Sequence, residues 1–278
     1  MKTRKWDRYA NAFYLAKVTK LNYIFSLGHV SLVALFLISA CLSANLAYAG
    51  GAFSVTPVRI YMTPKERATA VTLINQGDVP VALQADVNTW IQKADGSDEL
   101  VPTEDLILSP PIIKLAPNAR QVVRLVSLKP FDGSREVTYR LIVRELPEIT
   151  APPGNTIDMP IALALSLPIF ITPSNAKSEI SCSAKGLQPS SQVSPQQSGK
   201  QLFQIECANT GTAYAQIREA ILKSNQQNIA RFSGGAYFLP GTKKMLPLEP
   251  ILPIPKGEGE IVVTFDDGKT QSYPITLF

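Results

Sequence analysis

Histidine is almost missing from this sequence of 278 residues, in which His29 is the single histidine and only three cysteines and two tryptophans occur. Because that histidine lies among the first fifty residues, the remainder of the chain cannot form a Ser-His-Asp triad or a histidine-ligated zinc site. The sequence also has no G-x-S-x-G nucleophile motif and no phosphate-binding glycine loop. We therefore predict a protein that is not an enzyme and that uses no cofactor, no metal and no small-molecule substrate.

The first 49 residues have the organisation of a secretory signal peptide. Six lysines and arginines occur in the first 20 residues, an apolar run follows over Val30–Leu42, and an A-x-A cleavage site ends at Ala49. The apolar run is shorter than the roughly 20 residues of a membrane-spanning helix. Two alternatives remain open: a permanent N-terminal anchor, or lipoprotein-type cleavage at "ISAC" (Ile38–Cys41) that would leave Cys41 acylated.

The basic character of the chain belongs to this leading segment. Without its six basic residues and one acid, the rest of the chain holds 21 basic and 21 acidic residues, so its formal net charge is zero. A neutral chain lacks the electrostatic attraction on which nucleic-acid binding depends. We therefore predict no nucleic-acid partner.

Two cysteines remain after the leading segment, Cys182 and Cys207. An even number of cysteines in an exported protein indicates a disulfide. A metal site or a reactive pair is the alternative, but two ligands 25 positions apart without histidine make a poor metal site. The predicted disulfide would join the first two strands of the second domain.

Beyond residue 50, short β-branched and aliphatic runs alternate with gaps that contain Gly, Pro, Asn or Asp. No run keeps an apolar period of 3.6 residues for long enough to predict a helix. The polar segment Pro173–Ile180 divides the runs into two groups. The sequence thus predicts an all-β protein with two antiparallel β-sandwich domains, residues 50–173 and residues 174–278, and with Trp90 and Tyr139 as core aromatics.

One segment, "MPIALALSLPIFITP" (Met159–Pro173), places an apolar residue at every second position. This period predicts a β-strand with one apolar face, although the row is longer than the usual strand of about five or six residues. Such a strand either lies in the core of its own domain or offers part of its apolar row to a partner. An exposed row of this length is also an aggregation hazard, which leaves self-association of the free protein open.

Five motifs in order carry a resemblance to a known family: "SVTPVRIYM", "INQG" with "VPVALQADVNTW", "LILSPPIIKLAPNARQVVRL", "YRLIVRELP" and "ALSLPIFITP". Together they resemble the periplasmic pilus-assembly chaperones of the chaperone–usher family, and are most similar to its archaic branch, which includes relatives of the spore-coat-U-type pili. The similarity covers most of residues 53–173 and, more loosely, the second domain.

The resemblance implies two immunoglobulin-like domains set in an L. It also implies a periplasmic chaperone that folds and caps pilin subunits by donor-strand complementation, a known form of β-strand addition, and delivers them to an outer-membrane usher. A pilin lacks its final strand, so the lent strand must supply apolar side chains at alternate positions. The residues of this chain that fit the requirement are Met159, Ile161, Leu163, Leu165 and Leu167.

In the better-known branch, an arginine on the first strand and a lysine on the lending strand hold the C-terminal carboxylate of the pilin. "TPVRIYM" places the arginine at Arg59, but Pro168 stands at the lysine position. Arg140, on the strand expected to pair with the lending strand, is the predicted substitute. The alternative for Arg59 is an exposed edge-strand charge without a role, and the alternative for Arg140 is a solvated or structurally paired arginine.

In that branch, two acids and an arginine also stabilise the angle between the domains. Glu136 and Asp266 fall at the positions of the acids, but Thr172 replaces the arginine. The resemblance therefore leaves the junction between the domains to be stabilised in some other way. A structural or adhesive immunoglobulin-like surface protein remains the alternative function, and it would keep a closed sandwich with no strand to lend.

Overall fold

The computed structural model describes residues 53–146, 162–189 and 201–277. These residues form seventeen β-strands, and among them no helix is long and apolar enough to cross a membrane. The predicted all-β class is confirmed. The predicted signal peptide lies outside the described residues.

Ten strands build the first domain as two facing sheets. One sheet has the order β1-β3-β8-β6, and the other has the order β2-β10-β9-β4-β5, with β7 paired to β4. Their bounds are β1 Phe53–Thr56, β2 Ile60–Met62, β3 Ala68–Asn75, β4 Val81–Gln92, β5 Asp98–Pro102, β6 Leu106–Ser109, β7 Ile112–Leu115, β8 Arg120–Ser127, β9 Val137–Glu145 and β10 Ala164–Ile171.

The period-two pattern of the sequence becomes the core of this sandwich. Val71 on β3 lies opposite Val123 on β8, and both side chains are fully buried. On the other sheet, Leu141 and Val143 of β9 point into the same core. Each fully buried aliphatic side chain of this kind contributes about 1.5–3 kcal/mol to folding. The alternation of apolar and polar residues therefore fixes which face of each strand points inward.

The second domain consists of seven strands in the order β11-β12-β15-β14-β13-β16-β17. Cys182 on β11 lies opposite Cys207 on β12, and the two form the predicted disulfide, which is confirmed. The bounds are β11 Ile180–Pro189, β12 Gln201–Asn209, β13 Ala215–Ser224, β14 Gln227–Phe238, β15 Lys243–Pro250, β16 Gly257–Phe265 and β17 Thr270–Leu277. The predicted domain boundary after residue 173 falls between β10 and β11.

Two elements differ from the sequence pattern. Strand β5 forms a hairpin with β4 through a turn at Gly96, whose φ of 83° favours glycine, although residues 98–102 are polar or exposed. Strand β14 begins at the polar pair Gln227 and Asn228 and forms a hairpin with β13. Both hairpins are held by backbone hydrogen bonds, so a weak side-chain pattern does not prevent them.

Candidate functional site

Strand β10 has an open edge over most of its length. One edge pairs with β9 along the full strand, from Ala164 to Ile171. The other edge pairs with β2 only at Ile169–Ile171. Within the described part of the chain, residues 164–168 therefore present a strand edge that no other strand covers. An edge of this kind can pair with a strand of another protein.

The apolar row of β10, together with Leu163 just before the strand, runs from the core of the first domain toward solvent. Leu167 is 5% exposed and belongs to that core, Leu165 is half-buried against it, and Leu163 is 41% exposed. Of the predicted lending residues, Leu167 thus fills its own domain, and Leu165 and Leu163 are progressively more accessible. Met159 and Ile161 lie outside the described residues.

The opposite face of β10 is buried by the second domain. Phe170 is fully buried, and its ring stacks on Tyr214 with 3.8 Å between the ring centroids. Trp90 and Leu239 complete this apolar cluster. Trp90 is buried as predicted, but it lies at the junction of the domains and not in the core of the first sandwich, where Tyr139 lies.

Arg140 lies on β9 next to this junction, directly opposite Pro168 of β10. Its guanidinium carbon is 3.7 Å from the centroid of the Trp90 ring and 5.5 Å from that of Tyr237. Among the described residues, no carboxylate forms an ion pair with it. Burial lowers the pKa of Arg140, yet arginine stays charged at neutral pH. Arg140 is thus a half-buried cation held in place by aromatic rings.

Arg59 follows β1 and bridges the two domains. Its Nη1 donates to Oδ2 of Asp266 at 2.6 Å, and its Nη2 donates to Oε1 of Gln216 at 2.6 Å. The guanidinium carbon also lies 5.9 Å from the centroid of the Tyr237 ring. Arg59 and Arg140 therefore both lie beside Tyr237, but Arg59 already has a carboxylate partner.

Glu136 is the second acid of the junction, and it is paired without an arginine. Thr172 Oγ1 donates to its Oε2 at 2.6 Å, and the backbone N–H of Tyr214 donates to its Oε1 at 2.9 Å. Burial raises the pKa of Glu136, and these two hydrogen bonds oppose the shift. Glu136 thus links the first domain to Tyr214 of the second, and the Arg59–Asp266 pair is a separate link across the junction.

Gln92, at the end of β4, is a junction residue that sequence reasoning missed. Its Oε1 accepts hydrogen bonds from the backbone N–H of Leu239 and from Oγ1 of Thr242, and its Nε2 donates to the carbonyl of Tyr237. Nearby, Arg135 donates to the carbonyl of Pro240. No local signal marks these contacts, because their partners lie more than a hundred positions away in the sequence.

The part of the chain described by the structure contains no group of three or more His, Cys, Asp or Glu side chains placed to hold a metal ion. What the site offers instead is a free strand edge, an apolar row that leaves the domain core, and a pair of arginines beside one tyrosine ring. This arrangement suits an extended peptide with a carboxylate.

Comparison with known proteins shows what this chain is similar to. Residues 52–177 match the family of pili and flagellar-assembly chaperones, in its PapD N-terminal domain. Over 131 residues the chain is 27% identical to a protein named probable fimbrial chaperone LpfB from Escherichia coli O157:H7. That alignment covers 47% of this chain and 53% of the relative, so the chain spans about half the length of the curated relative it matches.

Solved structures share the fold over nearly their full length. A chain in the CsuC–CsuE chaperone–tip adhesion subunit pre-assembly complex, from the archaic chaperone–usher Csu pili of Acinetobacter baumannii, has 21% identity and a TM-score of 0.57, covering 82% of this chain and 99% of that one. The complex of SafA pilin with the SafB chaperone from Salmonella enterica gives 16% identity and a TM-score of 0.52, with 81% and 96% covered. The predicted fold and the resemblance to chaperone–usher pilus chaperones are confirmed.

Proposed function

We propose that this protein is a periplasmic chaperone that caps pilin subunits by donor-strand complementation and passes them to an outer-membrane usher for pilus assembly. The observation that carries the proposal is the open edge of β10 at residues 164–168, beside an apolar row that continues out of the domain core. The similarity of residues 52–177 to pilus-assembly chaperones supports it.

The lent strand performs two tasks at once. Its backbone N–H and C=O groups pair with the edge of a pilin that lacks its last strand, and its apolar side chains fill the open core of that pilin. Leu163 and Leu165 are the described side chains free enough to do so, each contributing about 1.5–3 kcal/mol when fully buried. Met159 and Ile161 extend the row toward the N-terminus in the sequence.

The C-terminal carboxylate of the pilin binds at the arginine pair in this proposal. Arg140 is the first contact, because its guanidinium has no carboxylate partner among the described residues and lies opposite the residue that replaces the family lysine. Arg59 is the second contact, beside the same Tyr237 ring. A carboxylate held by two arginines fixes the register of the added strand.

Co-purification with candidate pilin subunits, produced together with this protein in the periplasm, tests the lending strand. We expect Leu163→Asp combined with Leu165→Asp to abolish recovery of a pilin that the wild type retains, because a charge in the donated row would be buried in the pilin core. Val122→Asp is the matched control, since Val122 is an exposed apolar residue of β8 in the same domain.

Thermal unfolding of each variant shows whether the chaperone itself remains folded. If the folded double variant recovers the pilin as well as the wild type does, the apolar row serves only its own domain and donor-strand lending is wrong. If Val122→Asp reduced pilin recovery as much as the double variant does, pilin binding could not be assigned to β10.

A further inference from the structure

Asp266 holds one of the two arginines of the site in the free protein. Its Oδ2 lies 2.6 Å from Nη1 of Arg59, and the side chains of Asp266 and Arg59 are 21% and 33% exposed. The backbone N–H of Asp266 donates to the carbonyl of Gln216 at 3.0 Å, which holds the backbone of Asp266 in place just after β16. Arg59 is thus paired with an internal carboxylate within reach of solvent.

This pairing resembles the contact that a peptide C-terminus would make. A carboxylate bound by a guanidinium in a half-buried cleft is the same chemistry whether it comes from an aspartate or from a chain terminus. Arg140, by contrast, is held by the Trp90 ring and has no carboxylate partner among the described residues. The two arginines therefore differ in their availability before any partner arrives.

We propose that Asp266 is an internal competitor for Arg59, so that a pilin C-terminal carboxylate binds Arg140 first and gains Arg59 only by displacing Asp266. The inference rests on the proposed function and adds a residue of the second domain that sets the affinity of the site. Gln216 keeps its hydrogen bond to Nη2 and holds the guanidinium oriented during the exchange. Because Asp266 also links the domains, carboxylate capture and the strength of that link are coupled, and the coupling is reciprocal.

The test uses a minimal C-terminus, N-acetylphenylalanine, with N-acetylphenylalanine amide as the uncharged comparison. Binding to the protein purified after export is followed by NMR on the arginine side-chain N–H signals. Asp266→Asn keeps the shape of the side chain and removes its charge, and we expect it to bind the carboxylate probe about fivefold or more tightly than the wild type. The amide probe should bind equally weakly to both.

Asp267→Asn is the matched control, because this substitution makes the same change in net charge at the next residue. Asp267 is paired with Lys269 in the turn. If Asp266→Asn binds the carboxylate no more tightly than Asp267→Asn, or if neither binds it, the proposal is overturned. A second measurement needs no variant: saturating probe should shift the carboxyl carbon signal of Asp266 in the wild type, and an unchanged signal would also overturn the proposal. None of these outcomes depends on strand lending, which the co-purification experiment tests separately.

Discussion

Arg140 lies directly opposite Pro168 in the pairing of β9 with β10. Pro168, where the family resemblance implies a lysine, carries no charge, and its cross-strand neighbour carries a guanidinium. That guanidinium is half-buried and held 3.7 Å from the centroid of the Trp90 ring. In the proposed function, the cation therefore comes from β9, the strand next to β10.

Replacing Arg140 with alanine should weaken carboxylate binding and change the fluorescence of the protein that lacks the predicted signal peptide. A charge-assisted hydrogen bond contributes about 1.5–3 kcal/mol, which corresponds to roughly a ten- to hundredfold loss in affinity. Trp6 lies in the predicted signal peptide, so Trp90 would be the single tryptophan of the exported protein. Its emission should change on mutation and should no longer respond to N-acetylphenylalanine.

Arg144→Ala is the control for this variant. Arg144 lies on the same strand, is exposed and pairs with Asp86 at 3.3 Å. Its replacement by alanine makes the same change in net charge at a position away from Trp90. Unchanged emission and unchanged carboxylate binding in Arg140→Ala would show that Arg140 has only a structural role.

The sequence predicts the sandwiches well because their signal is local. Alternating apolar residues in β4 and β8 set the inward faces, and Cys182 and Cys207 are the two cysteines beyond the leading segment. The position of Phe170 could not be predicted in this way, since the period-two pattern assigns it to the outer face of β10. The second domain covers that face, which no pattern within the strand can indicate.

The arginines show the same limit at the site. The motif around Arg59 predicts an arginine that binds a carboxylate. The pairing of Arg59 with Asp266 joins residues 207 positions apart, which no local motif indicates. Thr172 in place of an arginine predicts that the junction is stabilised differently, without indicating Gln92 as one of the residues responsible. Contacts between domains depend on the three-dimensional arrangement of the two sandwiches, so a single sequence leaves them undetermined.

Gln92→Ala should loosen the junction between the domains. The substitution removes the acceptor for the Leu239 N–H and the Thr242 hydroxyl, and an unpaired buried donor costs about 1–3 kcal/mol. We expect a lower free energy of unfolding in urea and faster hydrogen exchange at the Leu239 amide. Gln84→Ala, on the same strand, removes a side chain whose hydrogen bonds within the described part of the chain reach Asp86 alone, and it should leave that amide protected. Equal protection in both variants would mean that Gln92 does not hold the junction.

Removing the disulfide should destabilise the second domain selectively. A cross-link that closes a loop of 25 residues contributes about 2–4 kcal/mol, largely by restricting the unfolded chain. We expect Cys182→Ala combined with Cys207→Ala to lower the urea midpoint of that domain, monitored by exchange of the amides of β12 and β15. A reducing agent should reproduce the effect in the wild type and have none in the variant. A midpoint that stays the same would contradict the prediction.

Glu136 should make the stability of the protein depend on pH in a direction unusual for a carboxylate. Burial raises its pKa above the ordinary value of 4.5, so the folded protein holds this proton more tightly than the unfolded chain does. Its contribution to the free energy of unfolding is therefore present at low pH and is lost as the pH rises through the raised pKa. Glutamine at this position cannot titrate and removes this dependence.

The measurement is the melting temperature of Glu136→Gln minus that of the wild type between pH 4.5 and 7. The variant loses one hydrogen bond, to Thr172 or to the Tyr214 N–H, at every pH. This loss shifts the difference in melting temperature by a constant amount. Only the slope of that difference against pH is therefore informative. We expect the difference to rise with pH. Asp132→Asn should give a flat line over the same range, because hydrogen bonds from Ser134 lower the pKa of Asp132 and keep it ionised throughout. A flat line for Glu136→Gln as well would mean that the junction carboxylate stays ionised, and that its two hydrogen bonds outweigh its burial.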